Sequence, residues 1–219
     1  MNKVIAFGDS FTYGHELSDC PTNNYPTHSK LSYAALTAAH LSREYDCKAV
    51  GAYANNAISR RILDSLDTID NTDLVLVMWT YPIRREFLLQ GDLGFRNITP
   101  QDNFEFAKTY FRYLDCNPAY LISESLKEIY IAQSVLNAKS INYVFISTDT
   151  GLSTAVQTKD LSYGKLCSEI NSNRWLFLEN NLGFADWAKD ELKLVFGNRH
   201  PPDIAHKVLF NKLIEKINE

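Results

Sequence analysis

Apolar residues fall along this chain in two rhythms. Short β-type runs stand at residues 4–7, 47–52, 74–78, 143–148 and 175–178. The third, Leu-Val-Leu-Val-Met, is apolar at every position, as suits a central parallel strand covered on both faces. Between these runs the apolar positions recur at helical spacing over 32–45, 57–66, 103–113, 118–139 and 204–217. The stripe in 57–66 is Ile58, Ile62, Leu63 and Leu66; in 118–139 it is Leu121, Leu126, Ile129, Ile131 and Val135; in the last segment it is Val208, Leu209, Leu213 and Ile217. Strands alternating with helices predict an α/β fold built on a doubly wound, five-stranded parallel sheet. No repeat or low-complexity linker interrupts the pattern, so residues 1–219 read as one domain. Two stretches, 19–30 and roughly 91–117, do not fit the minimal strand–helix alternation, and their length suits a lid, a binding loop or a surface excursion.

The first strand runs straight into Gly8-Asp9-Ser10-Phe11-Thr12-Tyr13-Gly14. Such a turn places a serine at the carboxyl edge of the sheet, where open α/β folds keep their ligands. Ser10 there can serve as nucleophile, and its backbone N–H as an oxyanion donor. Taken alone, the same residues also read as a strand followed by an Asp/Ser helix cap. Near the other end stands Arg199-His200-Pro201-Pro202-Asp203-Ile204-Ala205-His206. Proline after His200 favours a rigid turn and then a helix start, with Asp203 in the first turn. This holds the His200 imidazole on a short loop, from which it can reach Ser10 and take its proton.

Composition removes several alternatives. The formal net charge is −4, and no basic run exceeds the pairs Arg60-Arg61 and Arg84-Arg85. A nucleic-acid partner, which needs a clustered positive field, is not expected. Cys20, Cys47, Cys116 and Cys167 are widely spread with no Cys-x-x-Cys spacing, so neither a disulfide framework nor a zinc site is expected. Four apolar residues before Gly8 are too few for a signal-peptide core, and no apolar stretch approaches the roughly 20 residues that span a bilayer. A cytoplasmic protein without a membrane partner follows as the expectation.

Gly8-Asp9-Ser10 after the first strand, with His200-Pro201 before the last helix, resembles the SGNH/GDSL hydrolase superfamily over nearly the whole chain. The resemblance implies a flavodoxin-like three-layer α/β/α sandwich and a serine esterase needing no metal or organic cofactor. It also exposes departures. The second block, which normally offers a glycine N–H to the oxyanion, reads Val50-Gly51-Ala52-Tyr53-Ala54-Asn55-Asn56. The third, normally Gly-x-Asn-Asp, reads Trp79-Thr80-Tyr81-Pro82-Ile83-Arg84-Arg85-Glu86, so the usual oxyanion asparagine is missing. This block resembles a divergent SGNH-like group met in phage and bacterial genomes. The expected oxyanion donors are therefore Ser10, Gly51, and either Asn55 or Thr80. Asp9, Tyr13, Trp79 and Arg84 are the candidate substrate-binding residues, with Asp9 also suited to bracing the turn and His15 a further cleft candidate.

The family usually places an aspartate three residues before the catalytic histidine, and Gly197 occupies that position. Two readings follow. His200 is the base, since His-Pro-x-x-x-x-His matches the family's run into the last helix, and a carbonyl near Gly197 or a carboxylate such as Asp186 or Asp190 orients it. Alternatively Asp203 and His206 form the Asp-x-x-His pair on one helix face. The expected reaction is cleavage of small acyl esters, such as O-acetyl groups on a carbohydrate, through a Ser10 acyl-enzyme. The rivals are an acyltransferase on the same scaffold and a catalytically silent glycan- or partner-binding protein.

Overall fold

The computed structural model describes residues 2–22, 26–89, 94–114, 117–197 and 199–219. In chain order the elements begin β1 (Lys3–Phe7), α1 (Ser10–Tyr13), α2 (Tyr33–His40), β2 (Glu44–Cys47), α3 (Asn55–Ser65) and β3 (Leu74–Trp79). A hairpin of β4 (Arg85–Leu88) and β5 (Phe95–Ile98) follows, then α4 (Glu105–Tyr113), α5 (Pro118–Ala138) and β6 (Asn142–Ser147). The chain closes with α6 (Thr150–Thr158), α7 (Leu166–Glu169), α8 (Phe184–Asp190) and α9 (Asp203–Ile217).

Parity along the strands organises the molecule. In β3, Val75, Val77 and Trp79 face one core while Leu74, Leu76 and Met78 face the other. Ile5 and Phe7 of β1 and Tyr143 and Phe145 of β6 join the first set; Val4, Ala6, Val144 and Ile146 join the second. Successive side chains of a strand point to opposite faces, so strands apolar at every position need cover on both. Helices α3, α5 and α6 supply it on the first face, through Ile58, Leu126, Ile129 and Leu152 among others. Helices α2, α8 and α9 supply it on the second, through Tyr33, Trp187 and Leu209. Each such side chain withdrawn from water contributes about 1.5–3 kcal/mol.

The strands run parallel in the order β2-β1-β3-β6, so the chain starts in the middle of the sheet. Among the described residues this sheet has four strands rather than the expected five. Residues 175–178 lie beside β6 but make a single bridge, Trp175 to Phe145, with Leu176 N–H donating to Phe145 O at 2.9 Å. The second strand is also displaced, to Glu44–Cys47 instead of 47–52. Residues 41–43 explain the shift. Ser42 turns left-handed at φ 53° and Arg43 N–H returns to Ala38 O at 3.0 Å, a helix-ending arrangement that stops α2 at His40. The polar sequence Glu44-Tyr45-Asp46-Cys47 is then free to pair as an edge strand.

Of the 91–117 stretch, residues 91–93 and 115–116 lie outside the described residues. The rest forms β5 and α4, with a turn at 99–102 held by Thr99 N–H and Oγ1–H donating to Asp102 Oδ2. The ring of Phe87 packs edge-on against Phe106 and Tyr110 and ties α4 to the hairpin. No helix among the described residues is long and apolar enough to cross a membrane.

Candidate active site

Gly8 makes the passage from β1 to α1 possible: a Cβ there would sit 2.2 Å from Thr12 Oγ1. Asp9 caps the new helix, its Oδ1 accepting the Phe11 N–H at 3.0 Å. Ser10 is the first residue of α1, at the carboxyl end of the central strands, where its hydroxyl meets the 199–203 loop. Ser10 Oγ and His200 Nε2 are 2.8 Å apart. Phe11 backs the imidazole edge-on, with ring centroids 5.2 Å apart.

The other imidazole nitrogen faces a residue for which the sequence carried no signal. His200 Nδ1 is 3.0 Å from Glu16 Oε1, while Glu16 Oε2 accepts the backbone N–H groups of Arg199 (3.0 Å) and His200 (3.3 Å). One carboxylate thus orients the ring and pins the loop that carries it. Burial opposes ionisation of Glu16, but the two backbone donors and the nearby His200 outweigh it and hold its pKa below the ordinary value. Glu16 itself is left-handed at φ 66° and sits in a tight loop, its N–H donating to Cys20 O at 2.9 Å. Holding a β-carbon residue in that conformation costs of order 1 kcal/mol, a local strain of the kind found at functional sites. Asp203 fastens the same loop from α9 by accepting Ser18 N–H and Oγ–H, at 3.0 and 2.6 Å.

This geometry corrects the expectations about the orienting group. Among the described residues neither Gly197 nor Asp190 hydrogen-bonds to His200, and Asp186 instead accepts the Thr150 hydroxyl at 2.6 Å. Asp203 and His206 do not form a pair facing Ser10. His206 is fully buried, its Nδ1 accepting the Tyr33 N–H at 3.3 Å and its ring stacked on Tyr33. Burial pushes its pKa down to about 3 from 6.5. The unfolded chain therefore takes up a proton in mild acid that the folded chain refuses. This contribution to stability is intact above pH 6.5 and is lost as the pH falls toward 3, by up to about 1.4 kcal/mol per pH unit. His206→Asn, whose amide oxygen can still accept the Tyr33 N–H, should show a shallower loss of stability between pH 7 and 5 by urea unfolding. Parallel pH profiles for the two proteins would contradict this assignment.

The cleft over Ser10 encloses about 580 Å³ and is lined by Ser10, His15, Gly51, Tyr81, Arg84 and His200, with Thr99, Gln101 and Asp102 closing it from the excursion after β5. Gly51 is the close approach here: a Cβ would come 2.9 Å from His15 Cε1. The turn from Val50 to Tyr53 closes with Tyr53 N–H to Val50 O at 3.3 Å and makes no use of the Gly51 N–H. Burial first, then the neighbouring His200, lowers the His15 pKa.

Five of the other expected site residues, Asp9, Tyr13, Asn55, Trp79 and Thr80, lie outside the cleft lining. Trp79 is wholly inside the first core, edge-on to Phe145, as its parity with Val75 and Val77 requires. Tyr13 stands behind His15, ring centroids 4.7 Å apart. Asn55 spends both Nδ2 hydrogens on Thr80 O and Ser125 Oγ and accepts the Thr80 N–H. Thr80 donates its hydroxyl to Asp9 Oδ2 at 2.7 Å. Neither the Asn55 nor the Thr80 side chain keeps a donor for an oxyanion. Asp9 is fully buried and braces the turn: besides Phe11 and Thr80 it receives Arg84 Nη1 at 2.7 Å. Removing one partner from such a buried ion pair costs about 3–5 kcal/mol. Of the four candidate substrate-binding residues, Arg84 alone lines the cleft.

A parallel sheet with this strand order, flanked by helices and carrying a serine beyond β1 next to a histidine before the last helix, defines an SGNH/GDSL-type fold in divergent form. No protein-family model and no curated protein sequence matches the chain. Solved structures do. A protein described as lipolytic, of the G-D-S-L family, from Desulfitobacterium hafniense DCB-2 superposes with a TM-score of 0.54 at 14% identity, covering 99% of both chains. The acetyl xylan esterase Est2A from Butyrivibrio proteoclasticus gives 0.53 at 14% identity over 99% of this chain and 64% of its own. Phospholipase A1 from Streptomyces albidoflavus NA297 gives 0.51 at 15% identity over 98% and 99%. The fold is thus shared by an acetyl xylan esterase and a phospholipase A1.

Proposed function

We propose that the protein is a serine hydrolase that cleaves small acyl esters through a Ser10 acyl-enzyme. The observation that carries this reading is the contact chain Ser10 Oγ to His200 Nε2 to His200 Nδ1 to Glu16, at 2.8 and 3.0 Å. His200 accepts the Ser10 proton as Oγ attacks the acyl carbon, then passes it to the leaving alcohol; water repeats the sequence in reverse to free the acid. Glu16 stabilises the imidazolium formed in each half. The N–H groups of Ser10 and Gly51, both on the cleft wall, receive the oxyanion. An acyl-enzyme of this kind balances without metal or cofactor.

The cleft favours a polar substrate. His15, Thr99, Gln101, Asp102 and two arginines surround Ser10, and the apolar wall is limited to Phe11, Ala52 and Tyr81. Burying each methylene of an acyl chain contributes about 0.8 kcal/mol only where an apolar wall receives it. A short acyl group on a hydroxylated alcohol, such as an O-acetylated carbohydrate, fits this lining. Hydrolysis of p-nitrophenyl esters tests the reading: kcat/KM should be highest for acetate and fall from butyrate to octanoate, with acetate released from acetylated xylan. A rise with chain length would overturn the short-acyl assignment, and absence of hydrolysis across the series would favour a binding role. Preferred transfer to an added sugar over water would identify an acyltransferase.

A further inference from the structure

Resting on that reading of the site, we infer that Arg84 is the third oxyanion donor, occupying by its guanidinium the role that the missing third-block asparagine plays elsewhere. The two side chains that could have replaced the asparagine, Asn55 and Thr80, have no donor left. Arg84 has donors to spare. A guanidinium carries five N–H groups, and only Nη1 is engaged, by Asp9 Oδ2 at 2.7 Å and Thr80 Oγ1 at 2.8 Å, with a longer approach to Tyr53 O at 3.5 Å. Nε and Nη2 meet no acceptor among the described residues, yet neither is a buried unpaired atom. They therefore reach solvent, and Arg84 lines the cleft it shares with Ser10.

The anchoring explains why an arginine can do this work. Asp9 is the residue before the nucleophile, wholly buried, and fixed by Phe11 N–H and the Thr80 hydroxyl as well as by Arg84. The ring of Tyr81 lies under the guanidinium, 5.0 Å from ring centroid to Cζ. A long side chain is thereby held in one place on the wall of the cleft that contains Ser10, and donors that need not reorganise are the effective ones. The formal charges of Arg84 and Asp9 cancel before reaction, which gives the pair little pull on an anionic substrate. Its spare N–H groups gain most when the carbonyl oxygen becomes negative, so the effect falls on turnover rather than on binding.

The test uses p-nitrophenyl acetate and two variants. Arg84→Lys keeps a cation beside Asp9 but loses Nε and Nη2. It should fold with an unfolding midpoint close to the wild type and lose about 10²–10³ in kcat, with KM changed less than about threefold. In Arg84→Ala, millimolar guanidinium ion should restore part of the lost kcat, while methylammonium should not. An Arg84→Lys variant with kcat within about twofold of the wild type would overturn the inference, as would a loss confined to KM, which would make Arg84 a ground-state anchor for substrate. An inactive wild type would instead overturn the esterase reading, and this inference with it.

Discussion

Ser10→Ala and His200→Ala should each lower ester hydrolysis by about 10⁴–10⁶-fold, with little further loss in the double variant. The serine and histidine act as one unit: without the imidazole the hydroxyl keeps its proton, and without the hydroxyl the imidazole has nothing to activate. Their separation of 2.8 Å is the working distance of a nucleophile and its general base. Neither variant should unfold the protein. Ser10→Ala removes one side-chain hydrogen bond, worth about 1 kcal/mol, and leaves the Asp9 cap that starts α1 intact. Circular dichroism and the urea midpoint should therefore stay near the wild type while turnover disappears. Loss of fold in parallel with loss of activity would leave His200 and Ser10 as structural partners only.

Glu16→Gln should cost about 10³–10⁴ in kcat, the largest effect expected from any residue that does not itself touch the substrate. The two carboxylate oxygens have separate work: one lies 3.0 Å from His200 Nδ1, the other accepts the N–H groups of Arg199 and His200. A glutamine cannot satisfy both sides. Turned one way its NH2 faces the backbone donors; turned the other it faces Nδ1 and favours the wrong imidazole tautomer. It also withdraws the negative charge that stabilises the imidazolium. Because the Glu16 pKa is held below its ordinary value of 4.5, the carboxylate remains charged through mild acid. Glu16→Asp, one methylene shorter, should recover part of the loss. Asp203→Ala, which reaches the same loop only through the exposed Ser18 contacts, should cost no more than about tenfold. Activity of Glu16→Gln within tenfold of the wild type would remove Glu16 from the mechanism.

Ser10 and His200 were legible in the sequence because each sits in a short block whose neighbours constrain it: Gly8 and Asp9 on one side, Pro201 and Pro202 on the other. Glu16 was not. Its contact with the imidazole depends on a left-handed residue within the 14–20 loop and on long-range packing between α1 and the start of α9, neither of which leaves a spacing pattern. Trp79 was misplaced although its register was readable: it shares parity with Val75 and Val77, so it belongs to the buried face. The second strand was misjudged for the opposite reason. As an edge strand it is polar, Glu44-Tyr45-Asp46-Cys47, and hydrophobic runs find central strands more readily than edges. Thr80 and Asn55 have suitable chemistry, and only the hydrogen bonds around them reveal that their side-chain donors are already committed.

The central claim is that Ser10 is an activated nucleophile, and covalent capture tests it most directly. The protein is treated with a fluorophosphonate, digested, and analysed by mass spectrometry. The expected result is one phosphonyl group per chain, on the peptide containing Ser10, formed rapidly in the wild type, slowly in Glu16→Gln and not at all in His200→Ala. An unmodified Ser10 in the wild-type protein, or labelling that persists at the same rate without His200, would contradict it.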